Sequence, residues 1–430
     1  GIPRKDFPAE ARTRGGSRAV SRGNERLPEP APHGKRLLQF SDALPPFARR
    51  PRSHIRYDFE YNASVSDARS RREWYRFLRR AAARYESVPA AYELDRPSYG
   101  EIEESIARYL HRMRGVRCDP EQVVLVSTYM QAFQMVLRVL VEPEERVLLE
   151  DPHSYGLRNA IRLHGCEPVP LPTDSDGLMI ARVAERDEGA RLLATNPSFL
   201  MPSGRHMPLA RRLRLLERAR ERGYWILEFD HNNEYRYEGT PVESLQGLDD
   251  DGLVLHVGTF SRLFSPDPAI AYLVVPPHLK DVFRAEDVTM GNYCAPLECE
   301  VLAQFLDSGE MESFLRRLNR RLAGKRDAAR EALRAFRDLP LTLSPSNAGL
   351  HVHFSMHGWS SARVEALANA IWDRGISIFP DEPYTMLARP SAGLLLGIAT
   401  LEVDTIRRGI AELGEVIRAF IAREGYGRTS

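Results

Sequence analysis

The chain has 430 residues, 43% apolar and 28% charged, a length for roughly two to three structural units and a composition able to bury a large core. Sixty basic side chains stand against 59 acidic ones, which excludes a whole-chain electrostatic argument for nucleic acid or membrane partners. No run reaches the ~20 apolar residues of a membrane span and no apolar leader opens the sequence, so a soluble, cytoplasmic protein is expected.

Residues 1–54 read as an Arg/Pro-rich flexible arm. Up to residue 50 it carries 11 basic and five acidic side chains, dense proline and glycine, and no apolar periodicity before Leu37. It opens on Gly1 rather than Met, which leaves room for an upstream segment. A helical pattern starts at Trp74, and another covers Ser105 to Arg114 with Ile106, Tyr109, Leu110 and Met113 at helical spacing. Val123 to Val126 reads as a short strand running into a helix over Gln131 to Val141. Strands follow at Arg146 to Glu150, Arg191 to Ala194, Tyr224 to Leu227 and Leu253 to Val257, with an amphipathic helix at Leu209 to Arg222. This alternation predicts a mostly parallel sheet between helices over 55–310. Long Arg-rich helices then lead into a smaller α+β domain over 311–430, with strands at Gly349 to Phe354, Ile376 to Phe379 and Leu394 to Ile398.

Cys118, Cys166, Cys294 and Cys299 show no metal-ligand spacing, so free thiols are expected and no metal site. Only Lys5, Lys35, Lys280 and Lys325 are lysines; the other 56 basic residues are arginines, which stay protonated near neutral pH.

At Val257-Gly258-Thr259-Phe260-Ser261 the chain resembles a known family. Together with Glu228 to Tyr237, Glu150-Asp151-Pro152, Pro202-Ser203-Gly204, Arg114 to Pro120 and Ala348 to His351, the order and spacing resemble a fold type I (class I/II) aminotransferase, in particular the aminotransferase domain of MocR-type regulators. The resemblance implies a large α/β domain, a smaller C-terminal domain and a homodimer. It also implies pyridoxal phosphate, held by a lysine, an aspartate at the ring nitrogen, a phosphate-binding arginine and a glycine-rich turn.

Set against the family motif, this sequence departs at those positions. Arg262 follows Gly-Thr-Phe-Ser where the family has lysine, and Ala269 stands at the phosphate arginine. Phe229 stands at the ring aspartate and His231 at a tyrosine; Thr128 replaces the turn glycine and is followed by Tyr129. Ser154 falls at the ring-stacking position, with Tyr155 adjacent. Leu395 stands at the carboxylate-clamping arginine, and Phe199, Leu200 and Met201 replace a polar stretch. The expectation drawn from this is a repurposed, pyridoxal phosphate-independent protein with no cofactor, its former cofactor positions vestigial (Thr128, Tyr129, Ser154, Phe229, Thr259, Ser261 and Ala269).

Its old pocket would bind a small, more apolar molecule against Tyr155, Phe199, Leu200, Met201 and Leu395. Arg262, His231 and Asp230 would be its reactive groups, with Arg262 attracting an anion and His231 acting as acid or base. The structural alternative pairs Arg262 with Asp230 or Glu228. Two other functions compete: a non-catalytic ligand-sensing or scaffold body of MocR type, and a genuine pyridoxal phosphate-dependent aminotransferase. Nucleic acid is not expected as a partner unless a DNA-binding domain precedes the chain.

Overall fold

The computed structural model describes residues 34, 35, 37, 50, 52–61, 65, 67–85, 100–237, 243–261, 263, 268–291, 294–345 and 348–426. Most of the Arg/Pro-rich arm lies outside the described residues, as does Arg262. Contacts separate Gly1–Leu44 from Pro45–Ser430, and the second unit carries the folded body.

A short strand, β1 (Tyr57–Asp58), leads to helices α1 (Ala68–Tyr85) and α2 (Gly100–Arg114). Strands and helices then alternate: β2 (Val123–Val126), α3 (Tyr129–Leu140), β3 (Arg146–Asp151), α4 (Tyr155–Leu163), β4 (Glu167–Asp174), β5 (Gly177–Leu178), α5 (Ile180–Ala184), β6 (Ala190–Thr195), α6 (Leu209–Arg222), β7 (Trp225–Phe229), α7 (Leu245–Leu248), β8 (Val254–Thr259) and β9 (Ala271–Val274). Helices α8 (Lys280–Met290), α9 (Pro296–Asp307) and α10 (Glu310–Arg334) follow. The chain ends with β10 (Leu341–Leu343), β11 (His351–Met356), α11 (Ser361–Asp373), β12 (Ile376–Ser377), β13 (Phe379–Pro380), β14 (Gly393–Gly397) and α12 (Val403–Tyr426).

Eight strands form one sheet in the order β2-β9-β8-β7-β6-β3-β4-β5. From β4 through β3, β6 and β7 to β8 every pairing is parallel, while β9 is antiparallel to β8 and β2, and β5 to β4. The inner strands are apolar on both faces because both are covered. Leu227, Phe229, Leu255 and Val257 pack with Phe133 and Val136 of α3 and Leu157 of α4. On the opposite face Ile226, Val254 and Leu193 pack with Leu215 and Ala219 of α6. A second, antiparallel sheet, β10-β11-β14-β13, shares a separate core with α11 and α12 around Phe354, Ile371, Leu394 and Ile410. Among the described residues no helix is long and apolar enough to cross a membrane.

The loops at the sheet edge are fixed by buried charge. Arg212 of α6 and Glu228 of β7 are fully buried and 3.7 Å apart. The guanidinium donates to the carbonyls of Met207 (3.0 Å), Glu243 (2.9 Å) and Pro197 (2.9 Å). The carboxylate accepts from the N–H groups of Leu245 (2.9 Å) and Gln246 (3.1 Å) and lies 3.0 Å from His256 Nδ1. Desolvating these charges is costly, and the attraction and hydrogen bonds offset the cost only while every partner stays in place. Removing one partner should therefore be severe. Arg212→Met is expected to lower unfolding stability by about 3–5 kcal/mol in urea titrations. A loss under about 1 kcal/mol would show that the pair does not hold these loops.

Candidate functional site

Four parallel strands, β3, β6, β7 and β8, end side by side at Asp151, Thr195, Phe229 and Thr259. The crevice beyond the carboxyl ends of such strands is where open α/β sheets hold ligands. A cavity of about 320 Å³ lies there. The end of β3 supplies Glu150, His153, Ser154 and Tyr155, and the loop after β6 supplies Asn196, Phe199 and Met201. His231 and Asn232 follow β7, Tyr129 and Met130 open α3, and the distant Tyr61 and Tyr384 close the far side. A second cavity of about 140 Å³ shares Tyr129, His231 and Asn232 with the first and adds Thr128, Thr259 and Ser261.

Local sequence chemistry places these groups. Thr128 caps α3: its side chain accepts from the Gln131 N–H at 3.1 Å, while Gln131 Oε1 accepts from the Ser127 N–H at 2.8 Å. The N–H groups of Tyr129 and Met130 have no acceptor within the helix, and they face the end where the cavities meet. Phe199 is set by Gly349 in the small domain, which sits at φ 100° where a Cβ would overlap the Phe199 ring. Asn232 turns the chain at φ 63°, a left-handed conformation that asparagine tolerates.

The electrostatics are unusual at two lining residues. Glu150 is 1% exposed. Burial pushes its carboxyl up to about 7, against the Thr195 hydroxyl and the Asn196 N–H (3.0 Å) that both donate to Oε2, and with Asp151 adding to the rise. Burial pulls the His153 imidazole down to about 4, so it is neutral. Its Nδ1 accepts from the Ser154 N–H at 2.8 Å, which puts the proton on Nε2, and Nε2 has no hydrogen-bond partner among the described residues. Aromatic packing joins the walls. The Phe229 ring lies 5.4 Å from His153 and stacks on His231 at 5.5 Å, and His231 meets Tyr129 edge-on at 4.4 Å.

Of the residues singled out in the sequence, Tyr129, Ser154, Tyr155, Phe199, Met201 and His231 line the larger cavity, and Thr128, Thr259 and Ser261 the smaller. Leu200 and Leu395 line neither. Leu200 is buried beside Gly177 and Met207, and Leu395 lies within the small sheet opposite His353 and Phe379. Ala269 is exposed. Asp230 points away from both cavities: Arg114 of α2 takes its carboxylate through two nitrogens and Asn233 adds a bond at 3.3 Å. Glu228 is held by His256 and Arg212, so both carboxylates expected to pair with Arg262 have other partners among the described residues; Arg262 itself lies outside them. Sequence reasoning missed Glu150, His153, Asn196, Tyr61 and Tyr384. A signal existed for the first three, which stand at or just beyond the ends of strands legible in the sequence.

The model of the aminotransferase class I and II family matches residues 77–413. A probable rhizopine catabolism regulatory protein, MocR, of Rhizobium meliloti is 34% identical over 330 residues, 76% of this chain and 65% of the regulator, so the chain spans just under two thirds of that protein. The 2-aminoadipate transaminase of Thermus thermophilus is 28% identical over 317 residues, 72% of this chain and 78% of the enzyme. Among solved structures, the Thermus thermophilus α-aminoadipate aminotransferase LysN superposes with a TM-score of 0.74 at 24% identity, over 89% of this chain and 99% of that one. It was solved with N-(5′-phosphopyridoxyl)-L-leucine.

These findings overturn two expectations: that the chain is a repurposed, pyridoxal phosphate-independent protein, and that its site takes no cofactor. The family match, the transaminase relative and the neighbour carrying a phosphopyridoxyl group support the cofactor-dependent and MocR-type alternatives instead. The expectation leaned on substitutions against the family motif at Arg262, Ala269, Phe229, Thr128 and Leu395 among others; Arg262 lies outside the described residues, Ala269 and Leu395 line neither cavity, and a cavity stands at the strand ends. The architecture is that of fold type I aminotransferases, with a large, mostly parallel sheet between helices and a smaller C-terminal α+β part. The chain belongs to the aminotransferase class I and II family.

Proposed function

We propose that this chain is the ligand-binding body of a MocR-type regulator, an aminotransferase-shaped homodimer whose cavity takes pyridoxal phosphate together with a small amine. The observation that carries the reading is the 34% identity to MocR, joined to a cavity at the carboxyl ends of the parallel strands. Catalytic transamination is the second reading, favoured by the 28% identity to a transaminase.

The described residues fit the cofactor at its anionic end and around its ring. The start of α3 offers N–H groups and the positive end of a helix dipole, and the hydroxyls of Thr128, Thr259 and Ser261 border the same cavity. His153 and His231, both packed on the buried Phe229 ring, give flat walls for an aromatic ring. When bound, pyridoxal phosphate supplies an aldehyde that reacts with amines. Thr128 and α3 would hold the phosphate, and His153 Nε2 would offer a proton donor that is otherwise unpartnered. Among the described residues no lysine lines either cavity; Lys325 Nζ donates to the Ala399 carbonyl and Lys280 pairs with Glu121.

Two experiments test this reading. Pyridoxal phosphate added to the purified chain should give a saturable absorbance change, and Thr128→Asp should weaken it about tenfold or more. Aspartate caps the helix as well as threonine does but repels a phosphate. No saturable change, or an indifferent Thr128→Asp, would remove the cofactor from the reading. Amino-donor turnover in the same samples would favour the catalytic reading, and light scattering reads the dimer.

The second test concerns Glu150. A carboxyl raised from 4.5 to about 7 in the fold is a liability absent below pH 4.5 and complete above pH 7. Glu150→Gln should therefore stabilise the protein by up to about 3 kcal/mol at pH 8 and hardly at all at pH 4.5. Thermal unfolding across that range measures it.

A further inference from the structure

The larger cavity has a one-sided lining. Tyr61, Tyr129, Tyr155 and Tyr384 border it, and so does the buried carboxylate of Glu150. Among the described residues no arginine or lysine does. Tyr384 stands 6.0 Å from Tyr61 at 83° and 6.0 Å from Tyr155 at 58°, so three rings in series turn differently angled faces and edges along one wall. The Thr195 and Asn196 bonds to Glu150 both fall on Oε2, and Oε1 takes none among the described residues. Guanidiniums on neighbouring elements turn to other partners: Arg389 to Asp381 (3.5 Å), Arg114 to Asp230, and Arg158 through Nη1 to the Thr385 carbonyl (3.1 Å), its Nε taking none among the described residues.

Aromatic faces are the negative pole of the ring quadrupole and attract cations held within about 6 Å, most strongly where water is excluded. Above pH 7, where Glu150 is ionised, its carboxylate with a free oxygen adds charge of the same sign. Such a lining attracts positive charge and disfavours a carboxylate, which would meet Glu150 with no cation on the cavity wall among the described residues. At about 320 Å³ the cavity is of small-molecule size.

We infer that the larger cavity is a receptor for a small organic cation, an ammonium group seated among Tyr61, Tyr155 and Tyr384 and facing Glu150, rather than for an amino-acid carboxylate. The inference rests on the ligand-binding reading of this site and names the class of ligand.

Calorimetry on the full chain tests it with matched probes: choline and the larger benzyltrimethylammonium as cations, 3,3-dimethylbutan-1-ol as the uncharged analogue, and 3,3-dimethylbutanoate as the anion. Quaternary ammonium probes cannot condense with an aldehyde, so the readout is separate from cofactor chemistry. A cation should bind at least about tenfold more tightly than the alcohol, and the carboxylate more weakly than either. Glu150→Gln keeps acceptors for Thr195 and Asn196 and should lower cation affinity about tenfold without weakening the alcohol. Tyr384→Phe keeps the ring face and should retain the cation, whereas Tyr384→Leu should lose it.

Equal or tighter binding of the alcohol or the carboxylate overturns the inference. So does an unchanged cation affinity in Glu150→Gln, or the absence of cation binding at millimolar concentration. Pyridoxal phosphate is titrated in the same protein to separate the two proposals. Cofactor binding without cation binding overturns only the ligand class. Cation binding without cofactor binding upholds it and removes the cofactor from the proposed function.

Discussion

The fully buried guanidinium of Arg212 is the fixed point on which the site depends. It gathers three carbonyls from three stretches of chain, Pro197, Met207 and Glu243, and stands against Glu228 at the centre of the sheet. Pro197 follows Asn196, and Phe199 and Met201 lie just beyond it, so a charge on one face of the sheet positions the lining of a cavity at its edge. Glu228 in turn reaches His256 on β8 and the start of α7. Apolar packing alone is non-directional and would leave these loops free to slide. Hydrogen bonds to a buried charge have fixed directions, and they set the loops at one distance from the strand ends.

Much of the fold was legible because its strands are short, apolar and punctuated. Val123 to Val126 and Leu209 to Arg222 stand where the periodicity placed them, and the strands at 146, 191, 224 and 253 are displaced by a residue or two. The sequence reading passed over β4, since Pro168, Pro170 and Pro172 argue against a strand. Their shared parity puts all three missing N–H groups on one edge of β4, and only the last two residues of that strand have a partner beyond it, in β5. The antiparallel β9 was missed too, its four buried residues being too few to declare a direction.

The site was less legible, because side-chain partners come from far along the chain. Nothing near Asp230 in sequence announces Arg114, and Tyr61 and Tyr384 join the cavity from opposite ends of the folded body. Reading substitutions against a motif found the neighbourhood of the site. It did not show which way each side chain turns: Phe229 faces the imidazoles, while its neighbour Asp230 faces a guanidinium behind them. Alternation along an extended segment sends successive residues to opposite sides, so adjacent positions in one motif serve different ends.

The rings of Tyr129 and His231 border both cavities and touch at 4.4 Å. Tyr129 is the first residue of α3, its backbone held by the Thr128 cap. A guest confined to one chamber leaves these rings in contact. A guest that extends through both lies along these two rings, and Tyr129 ties that stretch of wall to the head of α3, which packs on β2 and β9. The span of an occupant, and not its chemistry alone, therefore decides whether it meets one chamber's wall or both.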